Sequence, residues 1–249
     1  MIKPNKYRFY DRTERMPVIR FLCYNKNMKN FINKVKISKN GFTLAEVLIT
    51  LVIVGVVAAL TIPTLVNKTQ NNQLAAAYKK TYGTLASATR MIISEEGTPK
   101  GDGGWASSVE NVYNLYKKHL VKAKDCGADS GCFSSTYDHV NGGARGHNWD
   151  SQDNKRKLIL ADGVQVMFAE VHSQCDLNDQ DGNGSVDVCE RIFVDLNGEK
   201  GPNSIGRDFL EFVLKEDGLY PSGCDSSRSC PSSPNTCGCR VLRENAINY

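Results

Sequence analysis

The sequence predicts an α+β protein: a long N-terminal helix, one half membrane-spanning and the other amphipathic, packed on a small antiparallel sheet, with a disulfide-stapled C-terminal region. Three observations predict it. Between Lys39 and Lys68 the chain carries one charge, Glu46, in a run that is otherwise uncharged and mostly apolar. Beyond that run the apolar spacing is helical, and after residue 155 it changes to the alternation of strands. Eight of the nine cysteines follow the apolar run.

Composition sets the class. A chain of 249 residues, 41% apolar and 23% charged, is too apolar for disorder and too polar for several membrane spans. Residues 1–41 hold 11 of the 31 Lys/Arg against only Asp11 and Glu14, and the remainder is net acidic. A basic block ahead of an apolar run stays in the cytoplasm by the positive-inside rule, which sends the acidic remainder outward. A nucleic-acid-binding arm would not need that run behind it, so no direct nucleic-acid partner is expected.

The elements follow in order. Val47 to Val66 is long enough, at about 1.5 Å per residue, to cross a hydrocarbon core of about 30 Å. A cleavable signal peptide would have a shorter core and a cut close behind it, whereas Ala75, Ala76 and Ala77 lie beyond the polar NKTQNNQ. Leu74, Tyr78, Tyr82, Leu85, Thr89 and Ile92 or Ile93 then continue an amphipathic stripe until Gly97 and Pro99 end it. One helix from Phe42 to about Glu96 is expected, bent at Pro63. A second helix is expected from Ser107 to Lys122, with Ser107 and Glu110 as its capping box, and residues 126–153 read as loop. KLILADGVQVMFAEV reads as a hairpin around Asp162-Gly163, ERIFVDLNG as a third strand, and Asp208–Leu214 with Gly218–Tyr220 as a fourth. The domains are a leader, 1–41, a membrane segment, 42–66, and an exported head, 67–249.

An even number of cysteines in an exported segment reads as a disulfide framework. Short separations favour Cys126 with Cys132 and Cys175 with Cys189. The pairing among Cys224, Cys230, Cys237 and Cys239 stays open. Zinc is the rival for CDSSRSC and CGC, but no histidine lies nearby and exported thiols oxidise.

DQDGNGSVDVCE, Asp179 to Glu190, fills the twelve-residue calcium-loop pattern. Asp179, Asp181, Asn183, Ser185, Asp187 and Glu190 occupy positions one, three, five, seven, nine and twelve, with Gly184 at the turn. Calcium needs six to eight oxygens about one point, and alternate ligands on a loop that turns at glycine encircle it. The flanks read as strand, so the loop is expected as a structural clamp without the helix pair of a calcium sensor. A solvated acidic turn is the alternative.

Glu46 has no cation near it in sequence, and a charge in lipid costs roughly 2.5–3.5 kcal/mol on insertion scales, which marks it as a functional candidate. The basic leader, Gly41, FTLAE, the long uncharged run and Pro63 resemble the type IV pilin and type II secretion pseudopilin class. That resemblance covers Lys36 to about Thr69 closely and the long helix loosely. It implies a pilin-like fold and cleavage between Gly41 and Phe42 by a prepilin peptidase that also methylates Phe42. It further implies that Glu46 attracts the new terminal amine of a neighbouring subunit, and that the partners are other pilin or pseudopilin subunits and an assembly platform in the cytoplasmic membrane. Ala45 departs from the larger aliphatic residue usual before the acid. The leader is long, and MKNFINKVKISKNG from Met28 is a more ordinary one, so translation is expected to start there. A second acidic loop, Asp195 to Asp208, resembles stretches near pseudopilin calcium loops, with Asp195, Asn197 and Asp208 as candidate ligands.

No enzyme is expected: four scattered histidines, no GxSxG and no phosphate loop leave no nucleophile in place. The class competing with a filament subunit is a membrane-anchored, calcium-binding adhesion or receptor domain that does not polymerise. A secreted hydrolase is a third, with no nucleophile to support it.

Overall fold

The computed structural model describes residues 41–142, 148–178, 186–224, 230 and 237–247. Helix α1, Leu44–Glu96, is unbroken through Pro63. Contacts divide the chain into two compact units, one up to Gly55 and one from Val56 onward. In the first unit every described residue is exposed, Phe42 at 86%. None of the 18 residues that qualify α1 as a membrane span is buried in protein. From Leu74 the burial changes to a stripe of Leu74, Ala75, Tyr78, Thr81, Leu85, Ala88, Thr89 and Ile92, the three- and four-residue spacing of one helix face.

Helix α2, Val109–His119, is capped by Ser108, whose Oγ accepts from the Asn111 amide at 3.1 Å. The expected cap, Ser107, is one residue early, and Glu110 instead pairs with Arg156. The helix also ends sooner than expected. Leu120 is extended, and the Val121 carbonyl accepts from Ala161, so Lys122 is claimed by strand pairing. Strand β1, Lys122–Gly127, runs from the expected helix end into the expected loop, and the short β2, Asp138–His139, lies within that loop. Their exposed, charged residues lack strand periodicity, and only the partner strand selects them.

β3, Arg156–Leu160, and β4, Gln165–Val171, form the expected hairpin, with Gly163 at φ 90° in its turn. β5, Leu177–Asn178, and β6, Val186–Val188, make a separate two-stranded ladder. β7, Glu190–Asp195, β8, Ser204–Ile205, β9, Phe209–Lys215, and β10, Gly218–Pro221, complete the strands among the described residues. The expected fourth strand is therefore two, β9 and β10, paired as a hairpin.

The main sheet runs β1-β3-β4-β7-β9-β8-β2 with β10 also on β9, eight strands in all, so it is larger than expected. It is antiparallel except where β8 meets β9 and β2 meets β8. Alternate residues of β7 and β9 face opposite sides. Ile192, Val194, Leu210, Phe212 and Leu214 pack with α1 and α2, Tyr78 stacking on Phe212 at 4.7 Å. Phe193 and Phe209 pack on the other side with Met167, Cys132, Phe133 and Tyr137. Burial on both sides explains why IFV and FLEFVL read as nearly continuous apolar runs.

The disulfides are Cys126–Cys132 and Cys175–Cys189, as expected, and Cys224–Cys239 enclosing Cys230–Cys237. Helix α3, Cys237–Glu244, was not expected from the Ser/Pro/Cys-rich tail. It docks through Gly238, where an added Cβ would lie 2.2 Å from Tyr78 Oη and 3.1 Å from the Glu211 carbonyl.

Candidate functional site

Gly41, Phe42 and Thr43 precede α1 without regular secondary structure and are exposed. Thr43 then caps the helix. Its amide and hydroxyl both donate to Glu46 Oε2, at 2.9 and 3.0 Å, while the Glu46 amide donates to Thr43 Oγ1 at 3.2 Å. This is a reciprocal capping box, Thr43-Leu44-Ala45-Glu46, which satisfies amides that a helix start leaves without partners. Glu46 is therefore not an unpartnered acid within its own subunit. Its carboxylate is held at the positive end of the helix dipole, facing back toward Phe42. The T-x-x-E spacing was available in the sequence, but the apolar run drew the reading toward lipid instead of toward the cap.

The calcium-loop candidates divide. Asp179, Asp181, Asn183 and Ser185 lie outside the described residues. The loop's base is described: Leu177 pairs with Val188 and Asn178 with Val186, and the Cys175–Cys189 disulfide closes the hairpin just beyond them. Asp187 Oδ2 accepts from Lys215 Nζ at 2.9 Å, and Asp187 Oδ1 is buried without a hydrogen-bond partner. An acceptor left in that state is costly, which is the condition a hard cation would relieve.

Glu190, read as the loop's twelfth ligand, sits elsewhere. It is wholly buried in β7, on the helix-covered face with Ile192 and Val194, and neither carboxylate oxygen makes a well-formed hydrogen bond. Burial pushes its acid well above the usual carboxylate range, opposed by the Ala169 amide and by Lys155. Asp187 is three residues away in the separate β5–β6 ladder, and its side chain is 47% exposed where Glu190 is wholly buried, so the two carboxylates look into different surroundings. Of the twelve-residue pattern only positions nine and twelve are described, and the structure does not bring those two carboxylates together. Among the described residues no group of three or more His, Cys, Asp or Glu is placed to hold a metal.

The second acidic loop is brought together. Asp195 and Asp208 are both fully buried, and the Leu196 amide donates to the Asp208 carbonyl. Asp195 Oδ1 accepts from the Asn197 and Gly198 amides, at 3.2 and 2.9 Å, and Oδ2 from Tyr137 Oη at 2.6 Å. Asp208 accepts from the Asn203 amide at 2.8 Å and the Ser204 amide at 2.5 Å. Each of these four oxygens has a protein donor, so hydrogen bonding accounts for their burial without a cation. Burial, and then the nearby charge of Asp208, push Asp195 up to about 7 against those hydrogen bonds. Asp208 is raised too, chiefly by burial. Asn197 Oδ1 is buried without a partner. Tyr137, from a distant loop, and Lys215 were not singled out by any sequence spacing, because each reaches its acid only through tertiary packing.

Among the described residues one helix is long and apolar enough to cross a membrane, and it begins at a capped acid and continues into a disulfide-braced α+β head. Residues 37–62 match the prokaryotic N-terminal methylation motif, the signature of the type IV pilin and pseudopilin prepilin-type cleavage segment. No curated protein and no solved structure matches the chain. The motif and the apolar helix fit membrane anchoring and a structural subunit.

Proposed function

We propose that this chain is a prepilin-like subunit, cut between Gly41 and Phe42 and N-methylated by a prepilin peptidase, then assembled into a type II secretion pseudopilus or a type IV pilus. The methylation motif at residues 37–62 carries the reading. The chain waits in the bacterial cytoplasmic membrane with its head outside, and leaves the bilayer as its helix packs against those of other pilin-type subunits at the assembly platform.

The capping box supports a role for Glu46 in that step. Thr43 holds the carboxylate at the helix start, so a neighbour's cationic amine meets an acid already oriented toward the chain terminus. Bringing the amine and the acid together in an apolar setting offsets the cost that each charge bears there alone. Mass spectrometry of the mature protein is expected to show N-methyl-Phe42. Recovery of the native chain with residues before Phe42 still attached, or cut near Ala77, sinks the reading in favour of an anchored domain that does not polymerise. Glu46→Gln is expected to be cleaved normally and incorporated into filaments poorly; normal incorporation removes Glu46 from assembly.

Calcium is proposed as a structural ligand of the loop from Asp179 to Asp187, through Asp179, Asp181, Asn183, Ser185 and Asp187, with Glu190 outside the set. Its chemistry there is charge neutralisation and oxygen coordination. The unpartnered Asp187 oxygen and the disulfide-closed hairpin base support it. A chelator is expected to lower the melting temperature, and Asp181→Ala to remove that sensitivity. Equal melting with and without chelator retires the site.

A further inference from the structure

We propose that a polar cleft between α1 and the β7–β8 loop receives the Arg90 guanidinium of a second copy of this chain, so that successive copies join head to tail. This rests on the filament reading. Two cavities, of about 270 and 630 Å³, share Leu196, Asn197 and Lys200 as a common wall. The smaller is bounded by Gln70, Gln73 and Ala77 of α1, and the larger by Asp162, Gln165 and Glu199. Gln165 is 4% exposed and Asn197 half-buried, and Gln165 Oε1 and Asn197 Oδ1 are both buried without a hydrogen-bond partner. Each is an acceptor left unmade, a cost that an arriving donor relieves. The terminal torsions of Asn and Gln are broad, so both amides turn toward a donor easily. A Cβ added at Gly198 would lie 3.2 Å from Gln165 Nε2, so glycine leaves that amide room to turn. Of the charged side chains lining the larger cavity, Asp162 and Glu199 are acids and Lys200 is basic, which leaves the lining net acidic. The cleft thus suits a cation with several N–H donors. A guanidinium presents its donors in one rigid plane, which reaches both amide oxygens and the exposed Glu199 carboxylate together.

Arg90 supplies that group. It is exposed on α1, and its side chain makes no ion pair or hydrogen bond among the described residues. Gly83, Ser87 and Ser94 share its helix face by their three- and four-residue spacing, and all are small and exposed. A Cβ added at Gly83 would meet nothing within 4 Å, so the guanidinium stands above low, open ground. Arg90 lies about 20 Å along the helix from Ala77 and about 140° around it, farther than an arginine side chain extends. No copy therefore seats its own Arg90 in its own cleft. The projecting arginine and the cleft are different surfaces of one chain, and a contact between them is heterologous. With parallel helices displaced by about 20 Å, that contact repeats from copy to copy without closing into a ring, which is the form of an open filament. An arginine entering a partly enclosed polar site is also the kind of side chain that dominates interface energies.

The test uses the full chain assembled in a bacterial membrane from a mixture of isotope-labelled and unlabelled copies, with photo-reactive Lys200→benzoylphenylalanine at the wall of the cleft. After trypsin, crosslinks are expected from that position to the Thr81–Arg90 peptide of the other isotope. Arg90→Glu is expected to lower incorporation into filaments roughly tenfold or more. Its melting temperature and its N-methyl-Phe42 are expected to match the native chain, because the native side chain has no partner within its own copy. Arg90→Lys keeps the charge without the planar fork and is expected to fall between the two. Glu199→Arg added to Arg90→Glu exchanges the charges and is expected to restore part of the loss, whereas Arg243→Glu, at another exposed arginine, leaves incorporation unchanged. Native incorporation of Arg90→Glu, or crosslinks confined to one isotope or to other surfaces, overturns the proposal. Processed filaments that tolerate Arg90→Glu remove this contact alone. A native chain that keeps its leader and is recovered only as monomers removes the filament reading, and the contact falls with it.

Discussion

Thr43 and Glu46 each satisfy a group that the other leaves open, and the cap they form has its own testable energy. Thr43→Val removes the hydroxyl while keeping the shape, and is expected to cost about 0.5–2 kcal/mol of helix-start stability. Amide exchange at residues 44–47 in micelles should rise with it; unchanged exchange removes the cap from the account. Asp195 supplies a pH dependence. It is harder to ionise in the folded chain than in the unfolded one, so folding takes up a proton there. Its contribution is fully present below the ordinary carboxylate range and is lost as pH rises toward and through about 7. In chelator, melting is therefore expected to fall as pH rises from about 5 to about 7.5. The raised value bounds the effect at about 4 kcal/mol across the window. Glu190 and Asp208 are shifted in the same direction, so Asp195→Asn shrinks the slope instead of abolishing it. An undiminished slope in that variant shows that Asp195 does not carry its share.

At the scale of elements, α3 has the least help from its own sequence and the most from its attachments. Two nested disulfides hold it, the Cys239 amide donates to the Ser222 carbonyl, and Asn71 of α1 donates to the Ile247 carbonyl at 2.7 Å. Cys224→Ser with Cys239→Ser opens a bridge with a sequence separation of 15 and is expected to cost about 3 kcal/mol in a denaturant titration. Gly238→Ala tests the docking separately. Its methyl group collides with Tyr78 Oη and crowds the Glu211 carbonyl, and overpacking of that kind costs about 1–3 kcal/mol. A variant as stable as the native chain means that α3 moves away from α1 without loss. Strand β1 shows the opposite kind of dependence: exposed over most of its length, it exists through its pairing with β3, and no local preference in KAKDCG foretold it.

For the whole molecule, the long helix, the β3–β4 hairpin and the two short-range disulfides were legible because each is written within a few consecutive residues or in one unbroken period. Phe42 to Glu96 needed only the switch from an uncharged run to a helical stripe, and the structure gives Leu44–Glu96. The width of the sheet and the helix at Cys237 were not legible, because neighbours distant in sequence select them, whereas the cap at Ser108 is local and stands one residue from the expected one. The functional residues divide in the same way. Gly41, Phe42 and Glu46 stand in a local motif, and the spacing from Asp179 to Asp187 is likewise local. The fate of Glu190 depended on whether β7 begins before or after it, and the pairing of Glu190 with Val171 on one side and Leu214 on the other decided that.

By itself the sequence determined that one apolar run is long enough to cross a membrane, that one acid stands near its start within a processing-type motif, and that an even set of cysteines follows it. Those properties follow from charge, hydropathy and spacing along a single stretch of chain, which no packing can change. Only the tertiary structure decided which carboxylates are spent on backbone amides, which one faces a lysine, and which is sealed in the core, because a carboxylate's role is set by the donors and the water around it.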